Sequence, residues 1–237
     1  MTKPIELAVV MPIYNEETNL ETVVMEWLNE FNRLGISFVL LAINDGSRDG
    51  TAEALQKLAK RYPDQVIPVN KQNAGHGQAC RTGYSLAIAQ DSIWTFQIDS
   101  DGQCDSRFFS SFWEGREEAD CIFGRRATRD DGISRSILSG VCRFATSLLS
   151  GMDLGDANVP YRLMRTSALK AALPKIPDDF NMQNVALTVA LKRDPHLRWK
   201  YVSIHFRNRQ GGTNSINLRN IAGMGLELLT NLHKISR

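Results

Sequence analysis

Two carboxylates one residue apart, Asp99 and Asp101, close an apolar run and are followed by Gly102 and Gln103. The run itself, Ile93-Trp94-Thr95-Phe96-Gln97-Ile98, is rich in β-branched and aromatic side chains and predicts a buried strand. In an open α/β sheet, ligands sit beyond the carboxyl ends of the strands, so both acids are expected in a cleft rather than a core. Alternate residues of an extended chain point the same way, and a turn at Ser100-Asp101-Gly102 lets both carboxylates reach one ion. Two hard oxygen donors, with Gln103 as a neutral third, suit Mg²⁺ or Mn²⁺ carrying a substrate phosphate. An isolated Asp-x-Asp-Gly is also a common polar turn, so the rest of the chain has to decide between the two.

The elements around this stretch alternate. Leu7 to Met11 is a short apolar strand closed by Pro12, and Thr18 to Leu34 carries apolar residues at helical spacing up to Gly35. Phe38 to Ile43 is continuously hydrophobic, as in a strand buried on both faces. Asn44 to Thr51 is a turn into a helix with Ala54, Leu55 and Leu58 on one face, and Val66 to Val69 is a third strand. Asn73-Ala74-Gly75-His76-Gly77 is a glycine-rich loop feeding a helix to about Ala89, after which the acidic strand follows. This β-α-β-α-β-α-β order is that of a nucleotide-binding α/β half.

Beyond it, Ala119 to Gly124 reads as a strand followed by Arg125-Arg126, and Ser134 to about Ser150 as a helix. Asp156 to Leu163 reads as a loop then a strand, Ala168 to Leu173 as a short helix, and Asn181 to Lys192 as a helix with Met182, Val185 and Val189 inward. Trp199 to Phe206 alternates like a strand, and Asn217 to Ile235 is amphipathic.

Composition narrows the classes. A chain of 237 residues with 43% hydrophobic residues can bury a large core, and no apolar run approaches the ~18 residues of a membrane span. The start, Met1-Thr2-Lys3-Pro4, lacks the apolar stretch of a signal peptide. Cys80, Cys104, Cys121 and Cys142 show no Cys-x-x-Cys spacing, which argues against a zinc site or a disulfide framework and for a cytoplasmic protein. A net charge of +2 is too small to argue for nucleic acid.

Four stretches fall in the order of one family: Pro12-Ile13-Tyr14-Asn15-Glu16-Glu17, Asn44-Asp45-Gly46-Ser47-Arg48-Asp49-Gly50-Thr51, Asn73-Ala74-Gly75 and Asp99-Ser100-Asp101-Gly102-Gln103. Together they resemble glycosyltransferase family 2. Gly124-Arg125-Arg126, Asp156 to Arg162 and Arg207 to Ser215 are similar to its polyprenyl-phosphate branch, of which dolichol-phosphate mannose synthase is the best known.

The resemblance implies an α/β GT-A fold: a mostly parallel central sheet with helices on both faces and a Rossmann-like N-terminal half. It implies one domain over 1–215, with a nucleotide-sugar half to about 104 and an acceptor half from about 105, then an amphipathic helix over 216–237. It places Pro12, Tyr14, Glu16, Ile43, Asp45, Asn73, Asp99, Ser100 and Asp101 around a UDP- or GDP-sugar, with Asp45 accepting from a base N–H. Asn44 departs from the Asp usual before that residue. Asp99, Asp101 and Gln103 match the Mg²⁺ or Mn²⁺ and diphosphate site. Asp101, Arg126 and Arg209 match the catalytic groups, and Arg135, Arg162 and Arg209 are candidates for an acceptor phosphate, which a guanidinium grips bidentately.

The acceptor follows from chemistry. Transfer to a sugar hydroxyl needs a carboxylate base, expected near the helix around Asn181, where the chain reads Asp178-Asp179-Phe180-Asn181-Met182-Gln183-Asn184. The two acids are offset, and Gln183 and Asn184 cannot take a proton. A lipid phosphate is already anionic and needs no base, which favours a polyprenyl (dolichyl or undecaprenyl) phosphate acceptor. The competing readings are transfer to a saccharide hydroxyl in surface-polysaccharide synthesis, with Asp178 or Asp179 as base, and a non-catalytic nucleotide-sugar-binding protein. A sugar nucleotidyltransferase would want a glycine-rich basic loop after the first strand, where Pro12 to Glu16 stands. The C-terminal helix has two readings, a peripheral contact with the inner face of a membrane and a packing or homodimer surface.

Overall fold

The continuous apolar runs become the central strands of a sheet. A computed structural model of the chain describes residues 4–126, 157–178, 180 and 182–207. Strands β1 (Leu7–Ile13) and β2 (Phe38–Asn44) are buried along their whole length and pair in parallel. Strand β3 (Val66–Asn70) adds to β2, and β4 (Trp94–Ile98) adds to the other side of β1, both parallel. The order β3-β2-β1-β4 leaves a crevice beyond the carboxyl ends of β1 and β4, where the strand order reverses.

The second half continues the same sheet. Strand β6 (Tyr161–Arg165) runs antiparallel to both β4 and β5 (Cys121–Arg126), and β7 (Trp199–Ile204) closes the edge parallel to β5. Asp120 staples these strands: its carboxylate accepts from Arg198 and from Arg165 Nε at 2.9 Å, and the Arg198 bonds foremost hold it well below the usual carboxylate range.

Helices cover both faces, as expected. On one face α1 (Leu20–Arg33), α2 (Thr51–Arg61) and α4 (Phe109–Gly115) pack on Leu7, Val9 and Met11 of β1 and on Trp94, Phe96 and Ile98 of β4. On the other, α3 (His76–Ala89), α5 (Thr166–Ala172) and α6 (Gln183–Lys192) pack on Ala8, Val10, Leu41 and Ile43. Trp27 of α1 centres an aromatic cluster beneath β4, with ring centroids 5.5 Å from Phe96 and Phe31 and 5.7 Å from Tyr161. Such pairs add about 0.5–1.5 kcal/mol each beyond their buried area, so the strand that ends in Asp99 rests on a rigid base.

Several boundaries moved. Helix α1 begins at Leu20 rather than Thr18, because the turn before it is engaged elsewhere: the Glu16 N–H donates to Thr51 Oγ1 and the Glu17 N–H to Asp49 Oδ2. Helix α6 is not one-sided, every residue from Gln183 to Leu191 being buried. Helix α4, with no strong polar–apolar period, was absent from the sequence reading. The helix expected over 134–150 and the C-terminal helix lie outside the described residues, as do Arg135, Asp179 and Arg209.

Arg162 is a correction. Rather than facing an acceptor, its side chain lies at 0% exposure between β6 and α6. Its Nε donates to the Val159 carbonyl at 2.7 Å, Nη1 to Asn184 O at 2.8 Å and Thr188 Oγ1 at 3.1 Å, and Nη2 to Ala157 O, while the guanidinium stacks 4.9 Å from the Phe123 centroid. Strand parity turns it inward, and carbonyls freed at loop and helix ends satisfy its charge. Arg162→Met should therefore lower stability by about 2–4 kcal/mol, because it strands several buried carbonyls. The urea midpoint measures this; an unchanged midpoint would contradict a core role.

Candidate active site

The site is assembled at the edge where β1, β2 and β4 end, by loops that bind one another. Asn15 lies at φ +55°; its N–H donates to Ser47 Oγ at 2.9 Å and its Oδ1 accepts from the Arg48 N–H at 2.8 Å. The loop after β1 is thereby tied to the loop after β2. Asn44 closes that second turn through Oδ1, which accepts from the Ser47 N–H, while its Nδ2 donates to Asn70 at the end of β3. The amide does what a carboxylate could not, donating and accepting at once.

Asp45, 3% exposed, gathers the third loop. Its Oδ1 accepts from Lys71 Nζ at 2.5 Å and the Ala74 N–H at 3.1 Å, and its Oδ2 from the Gly75 N–H at 2.8 Å. Asn73 Nδ2 donates to the Asp45 carbonyl at 2.8 Å. Gly46 permits this approach: it lies at φ +69°, and a Cβ there would stand 2.7 Å from the Asn73 nitrogen.

Beyond β4, Asp99 and Asp101 stand where the strand pattern put them. Asp99 Oδ1 accepts from Gln97 Nε2 at 3.2 Å and lies 3.0 Å from His76 Nε2. Ser100 is buried. Asp101 Oδ1 accepts from the Gln103 N–H at 3.1 Å across Gly102, which turns the chain at φ +74°. Gln103 is tied to Arg207: its carbonyl accepts from the Arg207 N–H at 2.9 Å and its Nε2 donates to Arg207 O at 3.3 Å. Those bonds make Gln103 a brace of the turn.

The remaining expected residues fall around the same edge. Pro12 pairs with Ile43 across β1 and β2, both buried; Glu16 is buried just beyond β1, and Tyr14 is 41% exposed. Arg126, the last residue of β5, lies with its guanidinium 4.7 Å from the Phe206 centroid. Phe206 in turn bridges Cys104, so β5, β7 and the loop after Asp101 meet there. Asp178 lies against α3, its exposed carboxylate paired with Arg81 and its carbonyl accepting from Gln78 Nε2.

Lys71, His76, Gln97 and an ionic clamp around Arg207 were not anticipated. Arg207 donates from Nη1 to Glu26 Oε2 at 2.8 Å and pairs through Nη2 with Asp105 Oδ1 at 2.7 Å, while Glu26 Oε1 also accepts from Ser106. Lys71 and His76 flank the Asn73 to Gly75 loop, so proximity to it was their signal. Glu26 had none, reading as an ordinary polar position of α1.

Among the described residues no three or more of His, Cys, Asp and Glu form a metal-binding group. Asp99 and Asp101 would thus supply only part of a coordination shell. Their hard oxygens fit a divalent cation that also takes substrate phosphate and water.

The family model for glycosyl transferase family 2 matches residues 8–173. The chain belongs to this family. Among its relatives, the undecaprenyl-phosphate 4-deoxy-4-formamido-L-arabinose transferase of Pseudomonas aeruginosa PAO1 is 28% identical over 217 residues, covering 86% of this chain and 63% of the relative. The enzyme of the same name from Photorhabdus laumondii is 28% identical over 170 residues, 71% of this chain and 51% of the relative. The chain therefore spans between about half and under two thirds of these relatives' length.

Among solved structures, glucosyl-3-phosphoglycerate synthase from Mycobacterium tuberculosis in complex with Mn²⁺, UDP-glucose and phosphoglyceric acid superposes with a TM-score of 0.64 at 16% identity, over 97% of this chain and 79% of that one. Mannosyl-3-phosphoglycerate synthase from Rubrobacter xylanophilus gives 0.64 at 15%, over 97% and 73%. The fold is that of the GT-A glycosyltransferases.

Asp105 offers a test of the clamp in this family 2 chain. Burial raises its carboxyl, but the bonds from Arg107 and then Arg207 outweigh that and bring it down to about 2. A carboxyl depressed by folding stabilises above its unfolded value, near 4, and loses that contribution as pH falls toward 2. Acid titration should therefore remove about 2 kcal/mol between pH ~4 and ~2 in the native protein and distinctly less in Asp105→Asn. Urea melts at stepped pH measure it; parallel stability curves would show that Asp105 does not carry this charge.

Proposed function

We propose that this chain is an inverting, divalent-metal-dependent glycosyltransferase that moves a sugar from a nucleotide sugar to the phosphate of a polyprenyl lipid. The observation that carries the reading is the placing of Asp99 and Asp101 beyond β4, at the crevice beside β1, in one edge with Asp45. Family membership and the names of the 28% identical relatives support glycosyl transfer and an undecaprenyl-phosphate acceptor.

The base would lie against Tyr14 and Pro12 with Asp45 and Lys71 at its edge, and the ribose near Glu16. Asp99 and Asp101 would hold the cation, Mg²⁺ or Mn²⁺. When bound, it neutralises negative charge developing on the departing diphosphate. Arg126 and Arg209 are assigned to the same charge from the acceptor side. An acceptor phosphate oxygen attacks the anomeric carbon from the face opposite the diphosphate. The new C–O bond forms as the old one breaks, and the nucleoside diphosphate leaves with that electron pair. No proton moves, so no general base is required. The pairing of Asp178 with Arg81 agrees with this, since a carboxylate engaged by a guanidinium has to leave that pair before it can take a proton. The amphipathic pattern of 217–235 suits the surface of the membrane that would carry the lipid.

Asp99→Ala and Asp101→Ala should each lower transfer by 10²-fold or more with the fold intact, an effect of the size seen when one electrostatic stabiliser is removed. Wild-type turnover in either variant, with label from the nucleotide sugar counted in product, would refute the assignment of this edge.

The acceptor is tested in one assay with radiolabelled donor and extracted membranes. Label is expected in the organic phase, Asp178→Asn/Asp179→Asn retaining activity within about tenfold, or 1.4 kcal/mol of barrier. Arg209→Ala should cost much more. Label in the aqueous saccharide fraction, abolished in the double Asn variant by the ~10²–10⁴ that a lost base costs, would instead establish a hydroxyl acceptor.

A further inference from the structure

Strand parity decides which side of the sheet Asp99 faces. Trp94, Phe96 and Ile98 belong to the core under α1 and α4, so Thr95, Gln97 and Asp99 project to the opposite face, toward α3 and α5. Thr95 Oγ1 meets Thr166 of α5 at 2.8 Å. Two residues on, Gln97, wholly buried, directs Nε2 to Asp99 Oδ1. Its Oε1 is left buried without a hydrogen-bond partner. A buried amide normally satisfies both ends, so the orientation favours the bond to Asp99 at the expense of its own acceptor. The first residue of α3 then supplies a second donor to the same oxygen, His76 Nε2 at 3.0 Å.

We propose that His76 is a positioning residue that commits Asp99 Oδ1 to the protein and leaves Oδ2 as the oxygen presented to a divalent cation. A carboxylate offers about four lone-pair sites over two oxygens. With Oδ1 accepting from Gln97 and His76, both of its sites are filled, which would leave Oδ2 as the oxygen Asp99 offers a cation. A hydrogen on Nε2, present in one neutral tautomer and in the imidazolium alike, makes that bond, and Cys80 Sγ lies beside the ring one turn down the helix, 3.8 Å from Nδ1 and 3.9 Å from Nε2. Metal sites commonly orient a ligand through such an outer hydrogen bond. Here the ligand is the carboxylate and the imidazole is its support. The loop that delivers His76 is the one Asp45 holds through Ala74 and Gly75, so one segment sets both acids of the proposed nucleotide site.

The inference rests on the reading of Asp99 as a cation ligand, and Mn²⁺ binding to the full chain, followed by electron paramagnetic resonance of the free ion without donor or turnover, separates the two. His76→Ala should weaken Mn²⁺ binding by roughly 10–100-fold, the usual effect of removing an outer-shell partner. His76→Gln, whose Nε2 can replace the ring N–H, should restore it to within about threefold. His76→Phe keeps the ring but not the donor, and should bind as weakly as the alanine variant; it serves if alanine loosens the helix end. Wild-type affinity in His76→Ala or His76→Phe, or a glutamine variant no better than alanine, overturns the proposal while Asp99→Ala still loses the ion. Wild-type affinity in Asp99→Ala overturns the metal reading itself.

Discussion

The edge where β1, β2 and β4 end depends on one buried charge, the carboxylate of Asp45. A carboxylate withdrawn from water costs several kcal/mol unless it is paired and hydrogen-bonded. Asp45 meets that cost with an ammonium and two main-chain N–H groups, all from the segment between β3 and α3. The bonds run both ways in effect: they neutralise the acid, and they fix a glycine-bearing loop that has little side-chain packing of its own. Three of about four lone-pair sites are thereby occupied. Asp45 is thus first an organiser of the loop, and any contact with a nucleobase is made by a group whose position is already settled.

From that loop the constraint passes into α3. The helix opens one residue after Gly75, at φ +89°, so its N-terminus is placed by the same bonds. Cys80, Tyr84 and Ala87 then lock it onto the face of β1 and β2 opposite α1. The two acids after β4 are held by different means. Asp99 is held by Gln97 of its own strand and by His76 of α3, whereas Asp101 is held within its own turn by the Gln103 N–H. One is fixed by tertiary packing and the other by local turn chemistry, so they answer to different parts of the molecule.

How much of this was legible follows from the range of each interaction. Strands β1, β2 and β4 were readable because burial on both faces leaves continuous apolar runs, and Asp99 and Asp101 because a strand must end where its hydrophobicity does. Asn44, Asp45 and Asn73 announced a turn and a loop, but nothing local said that Lys71 would fold back onto Asp45. Arg162 was misread because its sequence neighbours are those of a site; only the β4–β6 register shows that its side chain turns inward against α6. Glu26 was silent for a similar reason. It sits on α1, and its partners Ser106 and Arg207 are separated from it by 80 and 181 positions, beyond any periodicity.

That clamp bears on which arginine can meet a phosphate. Arg207 opens the stretch similar to the acceptor-phosphate segment of the polyprenyl-phosphate branch, and by position alone it is as good a candidate as Arg209. Its guanidinium, however, lies within 2.8 Å of both Glu26 and Asp105. Two carboxylates at that distance cancel the cation's field for anything farther out, and breaking either pair to reach a ligand would leave an acid partly buried and uncompensated. The Arg207 guanidinium is thus committed to this clamp. Its main chain is another matter: through Gln103 it anchors the turn that presents Asp101, joining the exit of β7 to the end of β4. The charge of Arg207 is spent on holding the backbone of this edge.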